Sequence, residues 1–136
     1  MPITITKRLL SGSVDGLAIG ITATQGATYA TIHTGTSGAT STIDEVWLYA
    51  QNNFSQAIEL VLEWGQSATP TNIVASVPPK DGPVLVVPGL LLLGSATAAT
   101  DIVAYYQGVN GGSNSLIASA GGAVSIFGYV NRIVQT

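Results

Sequence analysis

A chain of 136 residues with a net charge of −3 and charged side chains at only 8% of positions can bury about two-thirds of the surface its unfolded form exposes, so it needs no disulfide or metal to hold a core. It contains no cysteine, which excludes thiol nucleophiles, thiolate zinc sites and disulfide chemistry. An ordinary soluble domain is about 25% charged; a chain this poor in charge either buries surface against partners or works where a neutral polar surface serves, and both suit a component of a shell or filament better than a free enzyme.

The four basic residues are Lys7, Arg8, Lys80 and Arg132. They are too few and too scattered to grip a phosphate backbone, so nucleic acid is not expected as a partner. The start, Met1-Pro2-Ile3-Thr4-Ile5-Thr6, lacks the basic and apolar regions of an export signal, and synthesis and assembly in the cytoplasm are expected. The longest apolar run, Val84–Leu93, is too short to span a bilayer and contains Pro88 and Gly89, so no membrane association is expected.

Taken in chain order, the elements read as short strands separated by Gly, Asn, Asp, Ser and Pro. Residues 1–10 read as an N-terminal arm or edge strand: Thr and Ile alternate over Pro2–Lys7, and Pro2 lacks a ladder donor. A single β-sandwich domain then fills residues 11–136. Leu17–Thr24 and Thr28–Thr34 flank a turn at Gln25-Gly26, and Thr34–Thr42 is a loop. In Ile43–Ala50 the residues Val46, Leu48 and Ala50 share one face, and Glu45, Trp47 and Tyr49 the other. In Ala57–Trp64 the residues Ile58, Leu60, Leu62 and Trp64 oppose Glu59, Val61 and Glu63. The link Gln51–Ser55 has the composition of a hairpin loop, so these two strands are expected to pair with one another.

Asn72–Val77 precedes a turn at Pro78–Pro83. Val84–Leu93 is apolar on both faces, the pattern of a central sandwich strand, with a break at Pro88-Gly89. Asp101–Tyr106 alternates, and Asn110-Gly111-Gly112 turns the chain. Val124–Val134 is again apolar on both faces, with Gly128 as an expected bulge or kink. The sum is an all-β protein, an antiparallel, jelly-roll-like sandwich of about eight strands.

Residues for catalysis are sparse. His33 is the only histidine, and no G-x-S-x-G elbow surrounds a serine, so His33 reads as a packed or surface side chain. Glu59 and Glu63 share a strand face but lie four residues apart, roughly 13 Å. Glycoside hydrolysis needs carboxyl groups within roughly 5–10 Å. Asp44 and Glu45 point to opposite faces, which leaves a cross-strand pair of Glu45 with Glu59 or Glu63 to be checked. No clustered carboxylates suggest calcium and no phosphate-binding loop is present, so neither cofactor nor metal is expected. Trp47 and Tyr49 are the one aromatic patch, fit to anchor a partner or to stack a sugar ring.

Three strings resemble a known family: Asp44–Ala50 followed by Glu63-Trp64-Gly65, then Val86–Leu90, then the C-terminal Phe127-Gly128-Tyr129-Val130-Asn131-Arg132-Ile133. In this order, over Leu9 to Ile133, they resemble small β-sandwich virion proteins of tailed bacteriophages. That resemblance implies capsid decoration, or cement: a jelly-roll-like, non-enzymatic domain, commonly a homotrimer, bound outside the head to the major capsid protein or other virion proteins. The run Leu90–Leu93 departs from the family pattern and is a candidate subunit contact. Lys7, Arg8, Trp47, Tyr49, Leu91 and Arg132 are the candidate partner contacts. A tail, baseplate or head-fibre component and a carbohydrate-binding module using Trp47 and Tyr49 remain the alternative readings.

Overall fold

The structure is a computed structural model that describes residues 2–21, 30–36, 42–65, 71–79, 82–93, 101–109 and 124–135. Gln25-Gly26, Lys80 and Asn110-Gly111-Gly112, assigned to turns above, lie outside the described residues.

Nine strands run through the described residues: β1 Ile3–Leu9, β2 Ile19–Ile21, β3 Ala30–Thr34, β4 Thr42–Asn52, β5 Ile58–Trp64, β6 Thr71–Val77, β7 Val84–Leu93, β8 Asp101–Val109 and β9 Val124–Gln135. They form two antiparallel sheets. The first, sheet A, has the order β1-β9-β4-β7, with β2 also on β9; the second, sheet B, has the order β3-β8-β5-β6. The pairing has a simple logic. β2 pairs β9, β3 pairs β8, β4 pairs β7 and β5 pairs β6, all antiparallel. Two halves of the chain therefore run side by side as one long ribbon. The ribbon folds back and forth between the sheets, and the pairs β4·β9 and β5·β8 close each sheet. This is a jelly-roll sandwich.

Alternation dictates which side of each strand faces the partner sheet. β4 is buried at every even position from Thr42 to Asn52 and half-buried at every odd one. Its apolar face, Val46, Leu48 and Ala50, meets Ile58, Leu60 and Leu62 of β5, with Ile102, Ala104, Ile126 and Val130 completing the core. Wholly burying one side chain of the size of Leu48 contributes roughly 1.5–3 kcal/mol.

The expected β4–β5 hairpin does not form. β4 lies in sheet A between β9 and β7, and β5 lies in sheet B between β8 and β6. Two strands that each carry a full apolar face bury more of it face to face than side by side. The link is a crossover held by Asn52, which is fully buried. Its amide donates to the carbonyls of Gln56 at 2.8 Å and Val77 at 2.9 Å, while its side-chain oxygen accepts the Phe54 N–H at 2.8 Å. A polar side chain there substitutes for the ladder bonds that the chain gives up as it changes sheets.

Two further expectations change. β7 is the edge strand of sheet A and not a central one. Its break is a bulge: the register against β4 shifts between Val46 and Trp47, where Gly89 adopts φ 73°. At an edge, Pro88 removes no ladder bond that a further strand would need. Gly128 is not a bulge, because β9 stays in register with β4 straight through Leu48↔Gly128. The glycine is required by close approach: a Cβ there would lie 2.1 Å from the Trp47 carbonyl oxygen.

β1 differs from the other strands. It pairs with β9 over Ile3↔Gln135 to Leu9↔Tyr129, yet all seven of its residues are exposed. It extends sheet A past the end of β2 without packing side chains into the core.

Candidate functional site

Sheet A turns its odd-numbered residues on β1, β4 and β9 outward, and cross-strand register sorts them into rows. Leu9, Tyr129 and Trp47 share one row, Lys7, Asn131, Glu45 and Leu91 the next, and Phe127, Tyr49 and Leu85 a third. The face is apolar and open: Ile3 is 61% exposed, Ile5 65% and Leu91 58%, with Leu9, Leu85 and Phe127 also exposed. Exposed apolar groups gathered on one sheet face mark an interaction surface more often than scattered ones do.

The centre of this face is ordered by a chain of contacts. The Trp47 indole stacks on the Tyr129 ring, centroids 6.4 Å apart and planes 14° from parallel. The Lys7 ammonium lies 4.7 Å above the centroid of Tyr129, a cation–π contact. The indole N–H donates to Glu45 Oε1 at 2.8 Å, and the Asn131 amide donates to the same oxygen at 3.0 Å. These hydrogen bonds, that of Trp47 foremost, hold the Glu45 carboxyl below its ordinary range. Gly89 leaves the space the indole occupies, since a Cβ there would lie 2.8 Å from Trp47 Cζ2. A large aromatic anchor with its rotamer fixed beforehand loses little entropy when a partner covers it.

On the inner side of the same sheet lies a second polar group. Asp44, next in sequence to Glu45, points inward and is 1% exposed. Arg132 grips it with two bonds, Nε to Oδ1 at 2.8 Å and Nη2 to Oδ2 at 2.9 Å. His33 of sheet B approaches Oδ2 through Nε2 at 2.7 Å. The other ring nitrogen, Nδ1, accepts the Ser11 N–H at 3.1 Å, which places the ring proton on Nε2, donated to Asp44. Burial pushes the Asp44 carboxyl up, but the Arg132 and His33 hydrogen bonds and the Arg132 charge outweigh it and hold Asp44 well below the usual carboxylate range. The same bonds raise Arg132 above its ordinary value.

This cluster has an Asp–His pair, but the His33 nitrogen away from Asp44 takes the Ser11 backbone N–H rather than a hydroxyl, while Ser11 Oγ accepts the Thr34 N–H at 2.6 Å. With Asp44 and His33 both buried, the group ties together β3, β4, β9 and the turn after β1.

The candidate contacts therefore divide. Lys7, Trp47, Tyr49 and Leu91 share the outer face of sheet A. Arg8 is exposed on β1 but on the alternate side. Arg132 is turned inward onto Asp44. The Trp47 ring contact is with Tyr129 rather than Tyr49. The Glu45–Glu59 and Glu45–Glu63 pairs do not arise: Glu45 is on the outside of sheet A, while Glu59 and Glu63 are on sheet B, facing away from the core opposite Leu60 and Leu62. Sequence reasoning missed Tyr129 and Asn131, although odd-numbered alternation along β9 places both on the outer face. It also missed the Asp44 cluster. The signal was present: Asp44 alternates with Val46 and Leu48 on the core face, and a charge there demands a partner.

No protein-family model and no curated protein matches the sequence. Among solved structures, a chain in a structure of infectious bursal disease virus, Gt strain, superposes with a TM-score of 0.52 at 11% identity, over 98% of this chain and 33% of that one. A chain in a structure of the Gx strain gives 0.49 at 13% identity, over 98% and 32%. This chain thus spans about 33% of the length of the first chain it matches, and at such identity the likeness is one of fold: both contain the β-sandwich.

Proposed function

We propose that the chain is a structural virion protein of a tailed bacteriophage, a capsid decoration protein that docks on the head through the outer face of sheet A. The observation that carries this reading is that face, on which Ile3, Ile5, Leu9, Leu85, Leu91 and Phe127 are exposed around the fixed Trp47–Tyr129 stack. The sequence strings Asp44–Ala50, Val86–Leu90 and Phe127–Ile133 support it, since they lie on β4, β7 and β9, the strands that build the face, and carry the resemblance to decoration proteins together with Glu63-Trp64-Gly65 at the end of β5 in sheet B. The fold likeness to a chain of a virus structure agrees with it.

The mechanism is binding. Covering apolar surface contributes about 25 cal/mol per Å², less the cost of association. A jelly roll that bridges capsid subunits adds such area at joints strained by packaged DNA. Lys7 on the face and Arg8 beside it supply positive charge that speeds approach to an acidic shell.

Electron microscopy of the parent particle tests the reading. The expected result is density for this chain on the outside of the head, with Trp47 and Leu91 against a capsid subunit. Density in the tail or baseplate would overturn it. In solution, Leu91→Glu should abolish binding to heads while leaving the circular dichroism of the protein unchanged.

A further inference from the structure

The edges of the two sheets are guarded unequally. An open edge strand offers a row of unpaired backbone groups to any other strand, and proteins block such edges with proline, charge, bulges or brevity. In sheet A, β1 carries Pro2 before it and Lys7 and Arg8 within it, and β7 carries Pro88 and two register shifts. In sheet B, β3 is five residues long and bulged between Thr31 and His33. The fourth edge, β6, has none of these. Its sequence Thr71-Asn72-Ile73-Val74-Ala75-Ser76-Val77 contains no charge and no proline, and it pairs with β5 without a register shift from Thr71↔Trp64 to Val77↔Ile58. Among the described strands nothing pairs with its other side. Val74, at its centre, is 57% exposed.

We propose that β6 is a docking edge for a second copy of this chain, pairing antiparallel with its own counterpart across a two-fold axis. The sequence is self-complementary in that arrangement. With the axis at Val74, Asn72 falls opposite Ser76, Ile73 opposite Ala75, and Val74 opposite its copy. Directly opposed residues of an antiparallel pair share a face. The exposed residues Asn72, Val74 and Ser76 therefore meet on the outer side, and the half-buried Ile73 and Ala75 meet on the inner side, continuing the core. No like charges oppose one another. Two four-stranded sheets become one continuous sheet, in the isologous geometry of a cyclic dimer.

The inference is independent of the sheet A docking surface, and one experiment separates them. Light scattering on the purified protein should give a dimer, and Val74→Lys, which sets lysine against lysine on an exposed position, should halve the mass with the circular dichroism unchanged. Should Val74→Lys fail to fold, Ser76→Lys places a charge on the same exposed edge and reads the same way. A wild-type monomer at micromolar concentration overturns the proposal. So does a trimer, the state expected from the sequence resemblance, because a two-fold pairing closes at two. A dimer that survives Val74→Lys but separates with Leu91→Glu overturns it as well, and assigns self-association to sheet A.

Discussion

Asp44 and Glu45 are neighbours on β4, and both carboxyls are held below their ordinary range, but they do different work. Asp44 faces the core, loses its water and is kept ionised by Arg132 and His33. Glu45 faces outward, keeps access to water and is tuned by two neutral donors, Trp47 and Asn131. A single step along a strand, which turns the side chain to the other face, thus separates a group that fastens two sheets from one that positions an aromatic anchor. A depressed carboxyl reflects its surroundings: charged partners around a buried Asp44, and neutral donors around an outward-facing Glu45.

The largest expected effect is on the inner group. Asp44→Asn removes the charge that compensates Arg132, and loss of one member of a buried pair costs about 3 kcal/mol or more. Urea unfolding at neutral pH should show a correspondingly lower midpoint. If stability is unchanged, the Asp44 cluster is not the fastening described, and the contrast with Glu45 fails.

Next comes the backbone between the two groups. Gly128→Ala forces a Cβ against the Trp47 carbonyl, and overpacking of this kind costs about 1–3 kcal/mol. The clash falls where β4 and β9 hold both groups in register. Thermal melting should therefore drop, and the fluorescence of Trp47 should shift with it.

Acid acts on the inner group directly. Asp44 has a folded-state pKa well below the usual range, while its unfolded carboxyl titrates near 4. Its contribution is therefore complete above about pH 4 and is lost as pH falls through the depressed folded value. Wild type should lose stability over that acid range, and Asp44→Asn should lose less. Equal slopes would show that other carboxylates dominate.

The smallest effect on stability is expected at the outer group. Glu45→Gln should leave the melting temperature unchanged and move only the Trp47 indole N–H resonance, since its acceptor changes from carboxylate to amide. A large drop in melting temperature would mean that the outer group, too, is a fastening.

Much of this was legible in residues. The alternation of Val46, Leu48 and Ala50 against Glu45, Trp47 and Tyr49 fixes which side of β4 is core, and it does so locally, because side chains alternate whatever the strand pairs with. The same pattern in β5 is equally clear. What pairs with what was not legible, and the expected β4–β5 hairpin was wrong for that reason. A short polar link is compatible both with a hairpin and with a crossover between sheets. The choice depends on how much apolar face two strands bury against each other, together with Asn52 finding the Gln56 and Val77 carbonyls.

By itself, then, the sequence determined an all-β sandwich, the inward and outward sides of β4 and β5, and the outward place of Trp47 and Tyr49, since each follows from period-two patterning. Only the tertiary structure decided that Trp47 stacks on Tyr129, that Arg132 faces inward to Asp44 and His33, and that β7 and β6 are edges. Those facts join residues far apart in the chain, from 82 to 88 positions for Trp47–Tyr129 and Asp44–Arg132. Register between distant strands is set by burial over the whole sandwich and not by any one segment.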